Sequence, residues 1–222
     1  MKKSFALIVT TLAATTSVAA YAAEDDNARL SVGITGGTLG IGPEVGYRVS
    51  EMFGVRANAT FLSISRDIDS SGINYDGKAK LKSGGVMVDV YPFGGGFRLS
   101  GGLRINGNEA RVVARPTQNV QVGNNTYTPT DIGTLRTETD LKNLAPTLTL
   151  GYGGGLSKGL TFGIEGGAMF QGKMKIKPLT YTGTAPIGTI AADLERERQE
   201  IQDDIDGFKV YPILQLTIGY RF

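Results

Sequence analysis

The sequence predicts an all-β chain: an eight-stranded antiparallel up-and-down transmembrane β-barrel with long extracellular loops and one short acidic helix in the last loop. Three observations predict it. Apolar and polar residues alternate with period two along most of the chain, as they do on a half-buried strand. Glycine supplies 32 of 222 residues, roughly twice its usual share of about 7%. Short links between the alternating runs take turns with long ones, the pattern of a barrel with tight turns at one end and loops at the other.

The first segment is for targeting. Lys2 and Lys3 form a basic region, and Phe5 to Leu12 an apolar core too short to span a bilayer. Ala20 and Ala22 place small residues where a signal peptidase reads, so residues 1–22 are expected to be removed as a signal peptide, leaving residues 23–222 as the barrel. Removing Lys2 and Lys3 from the 23 basic residues leaves 21 against 21 acidic ones, and a neutral chain has no electrostatic footprint for nucleic acid. No later stretch approaches the roughly 18 apolar residues of a membrane helix.

The strands then follow in order at about 29–36, 41–49, 55–65, 78–91, 97–110, 144–156, 160–177 and 209–222. The last is the clearest: Val210, Pro212, Leu214, Leu216, Ile218, Tyr220 and Phe222 share one face, with Gln215, Thr217 and Arg221 on the other. Leu160, Phe162, Ile164, Ala168 and Phe170 likewise oppose Thr161, Glu165, Gln171 and Lys173. These runs have the roughly 9–11 residues that a tilted membrane strand needs. The fourth breaks strict alternation, since Leu81 and Val86 share a face only if an extra residue intervenes; a bulge at Gly84-Gly85 is expected. Links 50–54, 92–96 and 157–159 are short, whereas 66–77, 111–143 and 178–208 are long and fall outside the cell. A further hairpin at 120–127 would make the barrel ten-stranded.

A chain ending in Tyr220-Arg221-Phe222 resembles the carboxy-terminal assembly signal of bacterial outer-membrane barrels. With Gly72-Ile73-Asn74-Tyr75-Asp76-Gly77, Tyr91-Pro92-Phe93-Gly94-Gly95 and Phe97-Arg98-Leu99-Ser100, the likeness extends to a family of poorly characterised proteobacterial outer-membrane β-barrel proteins, over nearly all of the mature chain. The plan is similar to the small OmpA/OmpX-type barrels and more loosely to OmpW. The resemblance implies fold and location, contact with outer-membrane lipid and lipopolysaccharide, and biogenesis by a barrel-assembly machinery that reads Tyr220 and Phe222. It carries over no catalytic or binding residue.

Composition limits the chemistry. Without Cys or His there is no thiol nucleophile, catalytic triad or zinc site, so no enzyme, cofactor or metal is expected. The inward positions carry Glu44, Arg48, Arg56, Asp89, Arg98, Arg104, Glu165, Lys173 and Arg221. Acids among so many cations are held ionised, and a barrel of eight strands is only wide enough for its own side chains, so these residues are expected to form a lumen charge network. Asp67-Ile68-Asp69-Ser70-Ser71-Gly72 begins like a calcium loop, but Lys78 stands where the bidentate glutamate belongs. Residues 189–206 read as a helix with Thr189 as N-cap, a strongly acidic solvated face and a narrow apolar stripe of Ile190, Leu194, Ile201 and Ile205 over the barrel mouth. The functional expectation is a monomeric outer-membrane barrel with a structural or surface-interaction role and a closed lumen. A narrow porin-like channel for ions or small solutes is the alternative.

Overall fold

A computed structural model describes residues 28–70, 72–141, 143–153 and 157–222; the expected signal segment 1–22 and Leu156 lie outside the described residues. The strands are β1 (Leu30–Gly37), β2 (Gly40–Arg48), β3 (Phe53–Ser70), β4 (Ile73–Val90), β5 (Phe97–Asn106), β6 (Glu109–Pro116), β7 (Val120–Val122), β8 (Asn125–Tyr127), β9 (Leu135–Asp140), β10 (Leu144–Gly153), β11 (Gly159–Met169), β12 (Lys175–Ile176), β13 (Thr180–Tyr181) and β14 (Tyr211–Arg221). Two helices, α1 (Pro129–Ile132) and α2 (Ile187–Ile205), complete the described elements.

The sheet closes on itself. Antiparallel pairing runs β4-β3-β2-β1-β14-β11-β10-β5, and β5 returns to β4 from Ser83↔Asn106 to Val90↔Leu99. Closure leaves this circuit without a free edge. Tight links join its strands at one end, around Val49–Met52 and Tyr91–Gly96, and long connections lie at the other. On the outside stands a continuous apolar belt that includes exposed Ile34, Val45, Val86, Val88, Leu103, Leu148, Leu150, Phe162, Ile164, Leu214, Leu216 and Ile218.

Part of the wall rises far above this belt. β3 and β4 have 18 residues each and stay in one register from Phe53↔Val90 to Ser70↔Ile73. That register contains no bulge at Gly84-Gly85, contrary to the sequence expectation. What changes at this level is polarity. Along the outer face of β4, Val90, Val88 and Val86 give way to Lys82, Lys80 and Lys78; along its inner face, Asp89, Met87 and Ser83 give way to Leu81, Ala79 and Tyr75. On β3 the same switch turns Val55, Ala57, Ala59 and Phe61 into Ser63, Ser65 and Asp67 outside, while Arg56, Asn58 and Thr60 become Leu62 and Ile64 inside. Leu81 therefore sits across from Leu62, and Val86 points the other way. The two faces exchange character without any interruption of the ladder.

The neighbouring strands follow. Lys80↔Glu109 continues the register of Ser83↔Asn106, so β6 prolongs β5 past Gly107-Asn108; Arg111↔Glu138 likewise continues Leu144↔Ile105, so β9 prolongs β10. Residues 66–70, 73–77 and parts of 111–143 are thus sheet, where the sequence predicts loop. The expected hairpin at 120–127 exists as β7–β8, but as a separate two-stranded sheet. It packs with α1 and α2 into an apolar cluster of Val122, Tyr127, Ile132, Ala185, Ile190 and Leu194. α2 starts at Ile187 with Pro186 as N-cap, ahead of the expected Thr189, and its Ile190 and Leu194 cover this hairpin. Asp67 and Asp69 occupy strand positions in the β3–β4 hairpin, opposite Asp76 and Asn74. Among the described residues no cluster of three carboxylates capable of holding a metal ion is present.

Candidate functional site

The inward side chains fill the barrel in three layers. At the long-loop end Leu39, from the β1–β2 turn, folds in against Ala145, Met169 and Ile213, with Tyr211 packed alongside. The Tyr211 hydroxyl donates to the Thr38 carbonyl at 2.6 Å, which ties the turn down. Beneath it the Thr60 hydroxyl donates to the Leu39 carbonyl at 2.8 Å.

The middle layer is ionic, with Arg56 at its centre. Its Nε donates to Asp89 Oδ2 at 2.9 Å and its Nη2 to Asp89 Oδ1 at 3.1 Å, a bidentate fork. Its Nη1 meets Glu44 Oε2 at 3.2 Å and Glu165 Oε2 at 2.6 Å. Glu165 also accepts from Arg98 Nη2 at 2.8 Å. Polar side chains complete the shell: Ser100 Oγ donates to Asp89 at 2.5 Å, and Asn58 Nδ2 to Glu44 at 3.1 Å. Arg104 instead donates to Asn58 Oδ1 at 2.7 Å and to Ser83 Oγ at 2.9 Å. Asn58, Ser83 and Ser100 were not singled out from the sequence, although each stands at an inward position of its own alternating strand.

The third layer, at the short-turn end, gathers Arg48, Tyr91 and Arg221. The Arg48 guanidinium lies 3.3 Å from the centroid of the Tyr91 ring, a cation–π contact. Its Nη2 donates to the carbonyls of Glu51 at 2.7 Å and Gly94 at 2.9 Å, clamping two of the tight links. Around this layer lies a cavity of about 50 Å³, lined by Arg48, Tyr91, Arg98, Thr161, Thr217 and Arg221 among others.

A pairing pattern accompanies these large cations. Each of the five inward arginines stands directly opposite a glycine on a neighbouring strand: Arg48↔Gly54, Arg56↔Gly46, Arg98↔Gly151, Arg104↔Gly85 and Arg221↔Gly159. A Cβ on Gly85 would stand 2.7 Å from Arg104 Cγ, and one on Gly151 3.2 Å from Arg98 Cζ. At Gly46, Gly85 and Gly151 the glycine thus leaves the space into which the facing arginine folds, whereas a Cβ on Gly54 would meet Tyr91 and one on Gly159 nothing within 4 Å.

Of the expected network, Glu44, Arg56, Asp89, Arg98 and Glu165 form one connected cluster, while Arg48, Arg104 and Arg221 face the lumen beside it. Lys173 is a correction. β11 ends at Met169, and Gly172 at φ +73° turns the chain out of the ladder, a conformation that favours glycine. Lys173 is consequently exposed, with its ammonium 2.5 Å from Asp206. Tyr220 and Phe222 pack against each other, tilted by 58° with ring centroids 4.9 Å apart, on the outer face near the short-turn end.

The acidic helix holds a second correction. Asp193, expected on the solvated face, is buried: it accepts from Tyr127 Oη at 2.7 Å, Asn125 Nδ2 at 2.7 Å and the Asn124 amide at 3.2 Å, pinning β7–β8 to α2. The hydrogen bond from Tyr127 holds the Asp193 carboxyl below its ordinary value, and the same bond, with burial, pushes the phenol up to about 12. The acid limb of stability is thus present above the ordinary aspartate pKa and lost as pH falls through the depressed one. The alkaline limb is complete below the phenol's usual value and lost as pH rises towards about 12. A tyrosinate absorbance titration should show one phenol with a midpoint near 12 that disappears in Tyr127→Phe and moves back towards 10 in Asp193→Asn. An unshifted curve in Asp193→Asn would show that the carboxylate does not hold this hydroxyl.

By sequence the chain matches no family model and no curated protein. By fold it is similar to crystal structures of two Acinetobacter baumannii proteins. CarO superposes with a TM-score of 0.57 at 17% identity, over 87% of this chain and 98% of that one. CarO2 does so with a TM-score of 0.58 at 18% identity, over 89% and 100%. The likeness establishes the fold, an all-β antiparallel barrel.

Proposed function

We propose that the chain is an integral protein of the bacterial outer membrane, an eight-stranded barrel with a structural or surface-interaction role. Its apolar belt contacts hydrocarbon, and the charged upper wall and the β7–β8/α2 unit stand above the lipid, where they meet lipopolysaccharide or other envelope and surface components. Residues 1–22 direct export as a signal peptide and are then removed, and the barrel-assembly machinery reads Tyr220 and Phe222. The barrel acts as a monomer, binds no nucleic acid, needs no cofactor and performs no catalysis; its plan is that of the small OmpA/OmpX-type barrels.

The observation that carries this reading is the filled lumen. An apolar cap, an ion-pair layer and an arginine–tyrosine layer succeed one another along the axis, and only about 50 Å³ lies open at the short-turn end. Purified protein added to planar lipid bilayers should therefore give no stepwise conductance. Reproducible single-channel steps from the unmodified protein would favour the narrow porin-like channel instead, with the inward arginines as its selecting charges.

A further inference from the structure

The short-turn end of the lumen carries more positive charge than its acids neutralise. Among the described residues the buried inward charges are Arg48, Arg56, Arg98, Arg104 and Arg221 against Glu44, Asp89 and Glu165. All three carboxylates converge on Arg56, and only Glu165 also reaches a second arginine, Arg98. Arg48 and Arg221 have no carboxylate within ion-pair distance among the described residues.

Arg48, Arg98 and Arg221 nevertheless line the same cavity of about 50 Å³ and are 2%, 6% and 6% exposed; Glu44 and Asp89 line it too, but both are engaged by Arg56, so the three arginines leave the lining with an excess of positive charge. Their guanidinium donors are not used up. Nε of Arg48, Nε of Arg98, and both Nε and Nη1 of Arg221 are buried without a hydrogen-bond partner. Like charges in a partly desolvated space repel, and buried donors left unmade are costly. Water would satisfy the hydrogen bonds but leave the charge. One oxyanion satisfies both, because the guanidinium fork matches carboxylate and phosphate oxygens. Threonines 161 and 217 and the Tyr91 phenol add hydroxyl-bearing side chains to the same wall. The space accommodates a group on the order of a few water molecules, which admits an ion of about five heavy atoms and excludes a nucleotide.

We propose that this cavity is a binding site for one small oxyanion, held by Arg221, Arg98 and Arg48 and reached from the short-turn end. The site stands whether or not the barrel conducts.

Equilibrium dialysis of the folded protein in detergent, at constant ionic strength, tests it with labelled inorganic phosphate and labelled acetate. Saturable binding of one equivalent of either is expected; preference for phosphate identifies a tetrahedral ion and preference for acetate a carboxylate, and both support the site. Arg221→Gln should weaken binding at least about tenfold, the loss of one charge-assisted hydrogen-bonding partner. Arg221→Lys, which keeps the charge but not the fork, serves if the first variant does not fold, and should also bind more weakly. Absence of saturable binding of either probe to the unmodified protein overturns the proposal, as does unchanged affinity in both Arg221 variants. Glu24, Asp25 and Asp26 lie outside the described residues, on the chain leading into β1. Binding that emerges only after these three are changed to their amides would make that acidic segment the occupant and also defeat the proposal.

Discussion

Replacing Arg56 with methionine should lower the unfolding free energy by about 3–5 kcal/mol, the range for removing one partner of a buried charge cluster. The expectation is at the upper end of single-residue effects because Arg56 faces three carboxylates at once, Asp89, Glu44 and Glu165, in a region with its own side chain 7% exposed. Without the guanidinium these acids repel one another across a narrow lumen. Arg56→Lys keeps a charge but loses the planar fork to Asp89, and should fall between methionine and the unmodified protein. Urea unfolding of barrels folded into lipid vesicles, followed by tyrosine fluorescence and heat-dependent gel mobility, measures the series. A loss below about 1 kcal/mol for Arg56→Met would mean that the cluster fills the lumen without holding it.

The second large effect concerns the polarity exchange along β4. Val86 and Asn74 lie on the same outer face of one uninterrupted strand, the first in the apolar belt and the second above it. Val86→Arg should destabilise folding into bilayers by about 2–4 kcal/mol, the cost of a cation on the lipid face near the midplane. Asn74→Arg should stay within about 0.5 kcal/mol, as surface substitutions usually do. Equal effects at the two positions, or insensitivity at Val86, would remove the membrane boundary from the place where the side-chain pattern puts it. A smaller difference in detergent micelles than in vesicles would be consistent with that boundary, since micelles impose no fixed thickness.

The ring was legible because its strands obey one rule, apolar outside and polar inside, for about ten residues each. β10, β11 and β14 keep the rule up to their long-loop ends, where Ala145, Met169, Tyr211 and Ile213 turn apolar side chains inward, and their expected starts lie within two residues of the observed ones. The upper wall was illegible for the same reason. Once β3 and β4 leave the belt the outer face turns polar and the inner face apolar, with Leu81, Ala79 and Tyr75 of β4 partly covered and Leu62 and Ile64 of β3 still exposed, so the character of each face reverses. A period-two pattern that reverses sign looks like a one-residue slip, which is why Leu81 against Val86 predicts a bulge when only the sequence is considered. The charge cluster could be listed from parity alone. Its connectivity could not, because parity says which way Arg56 points but not that Glu165 on β11 reaches across to it. The arginine–glycine pairs were hidden for want of register. Gly85 and Arg104 become partners only when β4 and β5 are aligned. Lys173 failed because the apolar alternation continues past Gly172 on paper, whereas the left-handed turn there ends the strand. Asp193 is hidden in the sequence because it is one acid of a helix whose Glu195, Glu200, Asp203 and Asp204 are exposed; a helix face says nothing of a distant hairpin that brings three donors to one carboxylate.

β14 stands between β1 and β11, with Ser31↔Arg221 and Gly159↔Arg221 meeting at its final residue. A chain shortened before this strand would expose two rows of main-chain amides and carbonyls that oil cannot solvate. β14 is thus the strand that shuts the cylinder, and deleting it leaves β1 and β11 as two open edges.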